Sequence, residues 1–111
     1  MLNHQSAQAC FDTWMNCERI LLQATSSKTA FSKQARLVVD DCARICQGTF
    51  NAIRIGSENI NKLALLCVGI CEECAEICDL QTGAGFRDLA ISCRECSESV
   101  SSLAFPAAVL P

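Results

Sequence analysis

Cys67, Cys71, Cys74 and Cys78 follow the spacing C-x3-C-x2-C-x3-C. On a helix, steps of three and four return to one face, so these thiols form a single ladder about 16 Å long at about 1.5 Å per residue. The same steps join Cys42 to Cys46 and Cys93 to Cys96, and a seven-residue step joins Cys10 to Cys17. One or two such residues would pass as small buried hydrophobes. Ten in a chain of 111 residues reach the density at which composition alone signals a thiol framework. Thiolates are soft ligands, and ligand type alone leaves Cu(I), Zn(II) and iron–sulfur clusters as candidates.

Disulfides are the competing use of so many cysteines, and the redox compartment decides between the two. Met1 to Ala9 shows no basic n-region and no apolar h-region, so the reading predicts a cytoplasmic protein with reduced thiols. The longest apolar run, Leu63 to Cys71, falls far short of the roughly 20 residues of a membrane span. With a net charge of −3 and scattered lysines and arginines, no basic patch offers itself to nucleic acid. A carboxylate-bridged di-iron centre needs Glu-x-x-His pairs, and His4 is the one histidine. Cys71 with Cys74, and Cys93 with Cys96, match the C-x-x-C redox motif but lack its βαβ setting. Glu72, Glu73, Glu76 and Asp79 lie off the cysteine stripe and read as a solvated face. No nucleophile has a partnering base, so no enzyme is expected.

The elements that must position the thiols are all helical. Apolar residues and cysteines recur at three and four: Ala7, Cys10, Trp14, Cys17, Leu21, Ala24; Ala35, Val39, Cys42, Cys46, Thr49, Ile53; Ile60, Ala64, Cys67, Cys71, Cys74, Cys78; Phe86, Leu89, Cys93, Cys96, Val100, Leu103. These stripes predict helices over about 4–25, 32–55, 58–81 and 85–104. Ser32 and Ser57 serve as N-caps, and Gly56 and Gly83 stand at helix ends. Trp14 reads as a core filler. Short connections make neighbours antiparallel, giving one all-α domain over 1–104, an up-down-up-down four-helix bundle with a cysteine-lined core. Pro106 forbids an ordinary continuation of the last helix, which leaves an apolar tail over 105–111.

Counting inward from the end that holds the start of helix 1, Cys10, Cys46, Cys67 and Cys96 fall about 9 to 14 Å deep, and Cys17, Cys42, Cys71 and Cys93 about 17 to 20 Å deep. Two four-thiol layers are expected, with Cys74 and Cys78 continuing toward the far end. Met1 and His4, soft or borderline ligands, stand beside the first layer and mark a candidate metal entry. Helix 3 is apolar on more faces than a monomer needs between Leu63 and Ile70, which predicts a homo-oligomer.

The segment CVGICEECAEIC at Cys67 to Cys78, with CARIC at Cys42 to Cys46, resembles the cysteine-rich four-helix-bundle copper storage proteins, over about residues 5–103. The resemblance implies that all ten cysteines are candidate ligands for multiple Cu(I) ions, that bundles assemble into tetramers, and that members without an export signal are cytosolic. It names neither the donor nor the acceptor of the metal. Charge favours the same ion: one monovalent cation per thiolate leaves a buried core neutral, whereas Zn(Cys)4 keeps two negative charges. Two readings stay open beside Cu(I) storage. One is a ferredoxin-like electron carrier with a [4Fe–4S] cluster in each layer; the other is a structural or interaction protein without tightly bound metal.

Overall fold

The computed structural model describes residues 2–26 and 32–105, with the backbone alone at 2, 3 and 24–26. Four helices account for nearly all of them: α1 (Leu2–Ser26), α2 (Lys33–Ile55), α3 (Ile60–Asp79) and α4 (Ala84–Ala104). Each expected helix is present, with ends shifted by one or two residues. Met1 and residues 106–111, and with them most of the expected tail, lie outside the described residues.

The helix ends show which local signals act. The Ser32 side chain accepts from the Ala35 backbone N–H at 3.0 Å, the N-cap bond that satisfies an otherwise orphaned donor and contributes about 1 kcal/mol. Gly56 closes α2 in the left-handed region at φ 67°, and the Ser57 N–H returns to the Ala52 carbonyl at 2.9 Å, using the freedom that glycine alone has there without a Cβ clash. The expected Ser57 cap of α3 is corrected. Its hydroxyl accepts from the Asn59 N–H at 3.1 Å, a local turn bond that competes with helix entry, so α3 begins two residues later than expected and Asn59 is its N-cap. Gly83 likewise caps the start of α4 rather than the end of α3.

Contacts join α1 to α2, α2 to α3, α3 to α4 and α4 back to α1, a closed ring with one interior. Residue numbers rise on one helix as they fall on its neighbour. Ser6 donates to the Ser99 carbonyl at 2.9 Å and Thr13 to the Ser92 carbonyl at 3.1 Å. Asn61 donates to the Leu103 carbonyl at 2.7 Å, while Arg94 pairs with Asp79. The seam between α1 and α4 is thus fastened by hydroxyls, and it is close. A Cβ on Gly85 would stand 2.9 Å from the end of the Ile20 side chain.

The interior holds all ten cysteines, together with fully buried Val39, Ala64, Leu89 and Val100. On α1 the interior differs from the expected stripe. Trp14 is half-buried and packs edge-on against Phe11 and at a tilt against Phe50 at the α1–α2 edge, while Thr13 is fully buried and Ile20 nearly so. A small hydroxyl fits where an indole would not, because α1 and α4 approach closely there. Among the described residues no buried side-chain nitrogen or oxygen lacks a hydrogen-bond partner. No described helix is long and apolar enough to cross a membrane.

Candidate metal centre

Each thiol reaches the interior because its helix buries one stripe, and the stripe is the one on which the cysteines fall. Their exposure is 1% at Cys78 and 0% at the other nine. All ten are free thiols.

The sulfurs touch one another both within and across helices. Cys42 lies 4.0 Å from Cys46 and 3.9 Å from Cys93; Cys46 lies 3.9 Å from Cys67 and 3.8 Å from Cys71. Cys67 lies 3.9 Å from Cys71 and 3.8 Å from Cys96, and Cys96 donates to Cys10 at 3.9 Å. Three groups have all sulfurs within 4.8 Å of one another: Cys46, Cys67, Cys71 and Cys96; Cys42, Cys71 and Cys93; Cys17, Cys42 and Cys74. Cys71 and Cys42 each belong to two groups, so the groups form one continuous chain of donors rather than separate sites.

This corrects the expected layering. Cys17 groups with Cys42 and Cys74, not with Cys71 and Cys93. The fourth member of the first group is Cys71, while Cys10 adjoins it through Cys96. The helices are staggered along the axis, so equal depth counted along each chain does not bring equal heights together.

Toward the end that carries exposed His4, Thr49, Ala64 and Val100 follow the first thiols on α2, α3 and α4, and all three are fully buried. They form a lid without soft donors over the thiol chain. Thr49 is tied down by donating to the Ile45 carbonyl at 2.8 Å. Sequence reasoning passed over Thr13 and did not recognise Thr49 as part of a lid; the one available signal was a hydroxyl at a stripe position.

Eight of the ten thiols hold their protons tightly. Hydrogen bonding to Cys67 and Cys96, followed by burial, pushes the Cys10 pKa far up. Hydrogen bonding to Cys42 and then to Cys67, Cys71 and Cys96 does the same at Cys46, as does the Cys74 bond at Cys78. Cys17, Cys42, Cys67, Cys71 and Cys93 are raised as well. Two groups move the other way. Cys10 foremost, with Cys46, Cys67 and Cys71, favours the ionised form of Cys96, and Cys17 foremost, with Cys42, Cys78 and Cys93, that of Cys74.

Such spacing decides what the core can hold. With metal–sulfur bonds of about 2.3 Å, two thiolates on one ion stand about 3.8 Å apart in a tetrahedron and about 4.6 Å apart in a linear pair. The sulfur contacts of 3.8 to 4.0 Å match the tetrahedral spacing. In a [4Fe–4S] cluster each cysteine binds its own iron, so the ligand sulfurs must surround the whole cube, and sulfurs already in mutual contact leave no room for it.

Fold and site together define a thiol-lined helical bundle built to hold soft metal ions. The model of the copper storage protein family matches residues 2–105. The chain belongs to that family, which is one of storage proteins rather than enzymes. Among solved structures it is similar to the Nmul_A1745 protein from Nitrosospira multiformis, with a TM-score of 0.84 at 24% identity over 93% of this chain and 94% of that one. It is also similar to a structure described as the Cu(I)-bound copper storage protein BsCsp3, with a TM-score of 0.86 at 21% identity over 94% of this chain and 99% of that one. At these identities the likeness is one of fold. No curated protein sequence matches the chain.

Proposed function

We propose that this protein stores Cu(I), with Cys10, Cys17, Cys42, Cys46, Cys67, Cys71, Cys74, Cys78, Cys93 and Cys96 as the ligands for several ions. The observation that carries the reading is the continuous chain of buried sulfurs, seven of them linked by contacts of 3.8 to 4.0 Å and Cys17 and Cys74 joined to it within 4.8 Å, in which a bridging thiolate serves two ions at once. Family membership and the Cu(I)-bound state of BsCsp3 support it. Charge selects the ion: one Cu(I) per thiolate neutralises a core that holds no lysine, arginine or carboxylate side chain among its buried residues, where uncompensated charge is costly.

The store operates in the cytoplasm, where thiols stay reduced. Metal enters at the end carrying His4, through the lid of Thr49, Ala64 and Val100. The protein works as a homo-oligomer. Leu65 and Leu66 on α3 are 51% and 57% exposed, adjacent apolar side chains of the kind that subunit contacts cover.

Anaerobic titration of reduced protein with Cu(I), followed by ultraviolet absorption and competition with a Cu(I) chelator, tests the reading. It expects several ions per chain, ultraviolet thiolate bands and no visible bands. Saturation at a single weakly held ion would refute it.

A further inference from the structure

The four sulfurs of Cys46, Cys67, Cys71 and Cys96 differ from the rest of the thiol chain. They are the one group of four that lies mutually within 4.8 Å, among the described residues; the other two groups have three members. Four of the six edges of this group measure 3.9, 3.8, 3.9 and 3.8 Å. A tetrahedral zinc tetrathiolate requires edges of about 3.8 Å, given zinc–sulfur bonds of about 2.3 Å. The ligands come from α2, α3 and α4, all are fully buried, and no fourth position is left for water. Structural zinc sites are closed in the same way.

We propose that, before copper arrives, this quartet binds one divalent d10 ion of the zinc class as a closed tetrahedral tetrathiolate. Its geometry is set by helix packing and is independent of the storage reading. The two groups of three would leave such an ion one ligand short, and each shares Cys42 or Cys71 with another group, so one divalent ion per chain is the limit. The bound tetrathiolate carries two negative charges, and the Cys42 thiol, 4.0 Å from Cys46, is placed to donate a hydrogen bond to one of its sulfurs, the second-shell role that steadies metal sites. Cu(I) then displaces the ion, because four monovalent cations, one per thiolate, neutralise the quartet where one divalent ion leaves two negative charges. The displacement step alone rests on the storage reading.

Reduced, metal-free protein titrated anaerobically with Co(II), whose tetrahedral thiolate complexes have intense visible bands, reads the geometry, and Zn(II) displacing it reads the affinity. One equivalent per chain with a tetrathiolate spectrum is expected, together with a melting temperature that rises with free Zn(II), as binding to the folded state alone requires. Cys67→Ser should lose the spectrum and the shift, and Cys78→Ser, outside all three groups, should keep both. Circular dichroism of Cys67→Ser establishes that it is folded. Octahedral Co(II), more than one tight equivalent, or equal loss in Cys78→Ser would overturn the proposal. If Co(II) binds as expected and Cu(I) does not load, the storage reading fails while the tetrathiolate site stands.

Discussion

The sulfur of Cys71 on α3 stands 3.8 Å from that of Cys46 on α2, and it is shared between the quartet and the group formed with Cys42 and Cys93. A shared donor serves more than one ion. Cys71→Ser should therefore lower the number of Cu(I) ions held by more than Cys78→Ser does, since a hydroxyl is a poor ligand for a soft cation. Chelator competition on the two variants gives the comparison, and equal capacities would show that the thiols act independently.

The metal-free protein should already be folded. Its interior is apolar as well as thiol-lined, with Val39, Leu89 and Val100 fully buried, each contributing about 1.5–3 kcal/mol by burial. Circular dichroism of reduced, chelator-treated protein should give a helical spectrum and a cooperative melt. A coil spectrum would place the protein with zinc fingers, which fold only on binding metal.

Loading should release protons. Eight of the ten thiols have pKa values raised by the core, Cys10 and Cys46 among them, so most ligands are protonated at neutral pH and must lose the proton to bind. On the order of one proton per Cu(I) is expected, with apparent affinity weakening as pH falls. Calorimetry in buffers of different ionisation enthalpy counts them, and tight loading without release would exclude the cysteines as ligands.

The same shifts fix how metal-free stability depends on pH. Unfolded thiols ionise at about 8.5, whereas the raised groups stay protonated in the folded state well beyond that. Folded protein then binds more protons than unfolded protein above this value, so the stability that the eight raised groups contribute is full below it and is lost as pH rises. Towards about pH 8.5 the melting temperature should rise, because Cys74 and Cys96 are shifted to the ionised form by folding, and above about pH 9 it should fall as the eight raised groups lose their advantage. A continued rise above that pH would contradict the raised values.

Entry should be gated by the lid. Val100→Ala removes two methyl groups from a fully buried site beside the first thiols, costing about 1–3 kcal/mol, and it should speed copper uptake without changing capacity. His4→Ala should slow uptake, also at unchanged capacity. Stopped-flow absorption at the thiolate band measures both. Loading rates unchanged in both variants would move the entry to the other end of the bundle.

Much of this protein can be read from residue order. Steps of three and four carried Cys67, Cys71, Cys74 and Cys78 to one buried face, and Ser32 and Gly56 marked the ends of α2, because periodicity and capping are properties of a single helix. The boundary of α3 was less legible, since the Ser57 hydroxyl had two local partners to choose between. The α1 interior was ambiguous for a related reason. Stripes through Thr13 and Ile20 or through Trp14 and Leu21 differ by one residue, about 100° around a helix, and the α4 surface made the choice by admitting a threonine hydroxyl against Ser92 (2.8 Å between oxygens) and leaving the indole at the edge. The grouping of Cys17 with Cys74, the double membership of Cys42 and Cys71, and the near-tetrahedral quartet lay beyond the sequence altogether. One helix's repeat fixes which face is buried but not how far that helix slides along its neighbours, and the slide is decided only when side chains from four helices interlock.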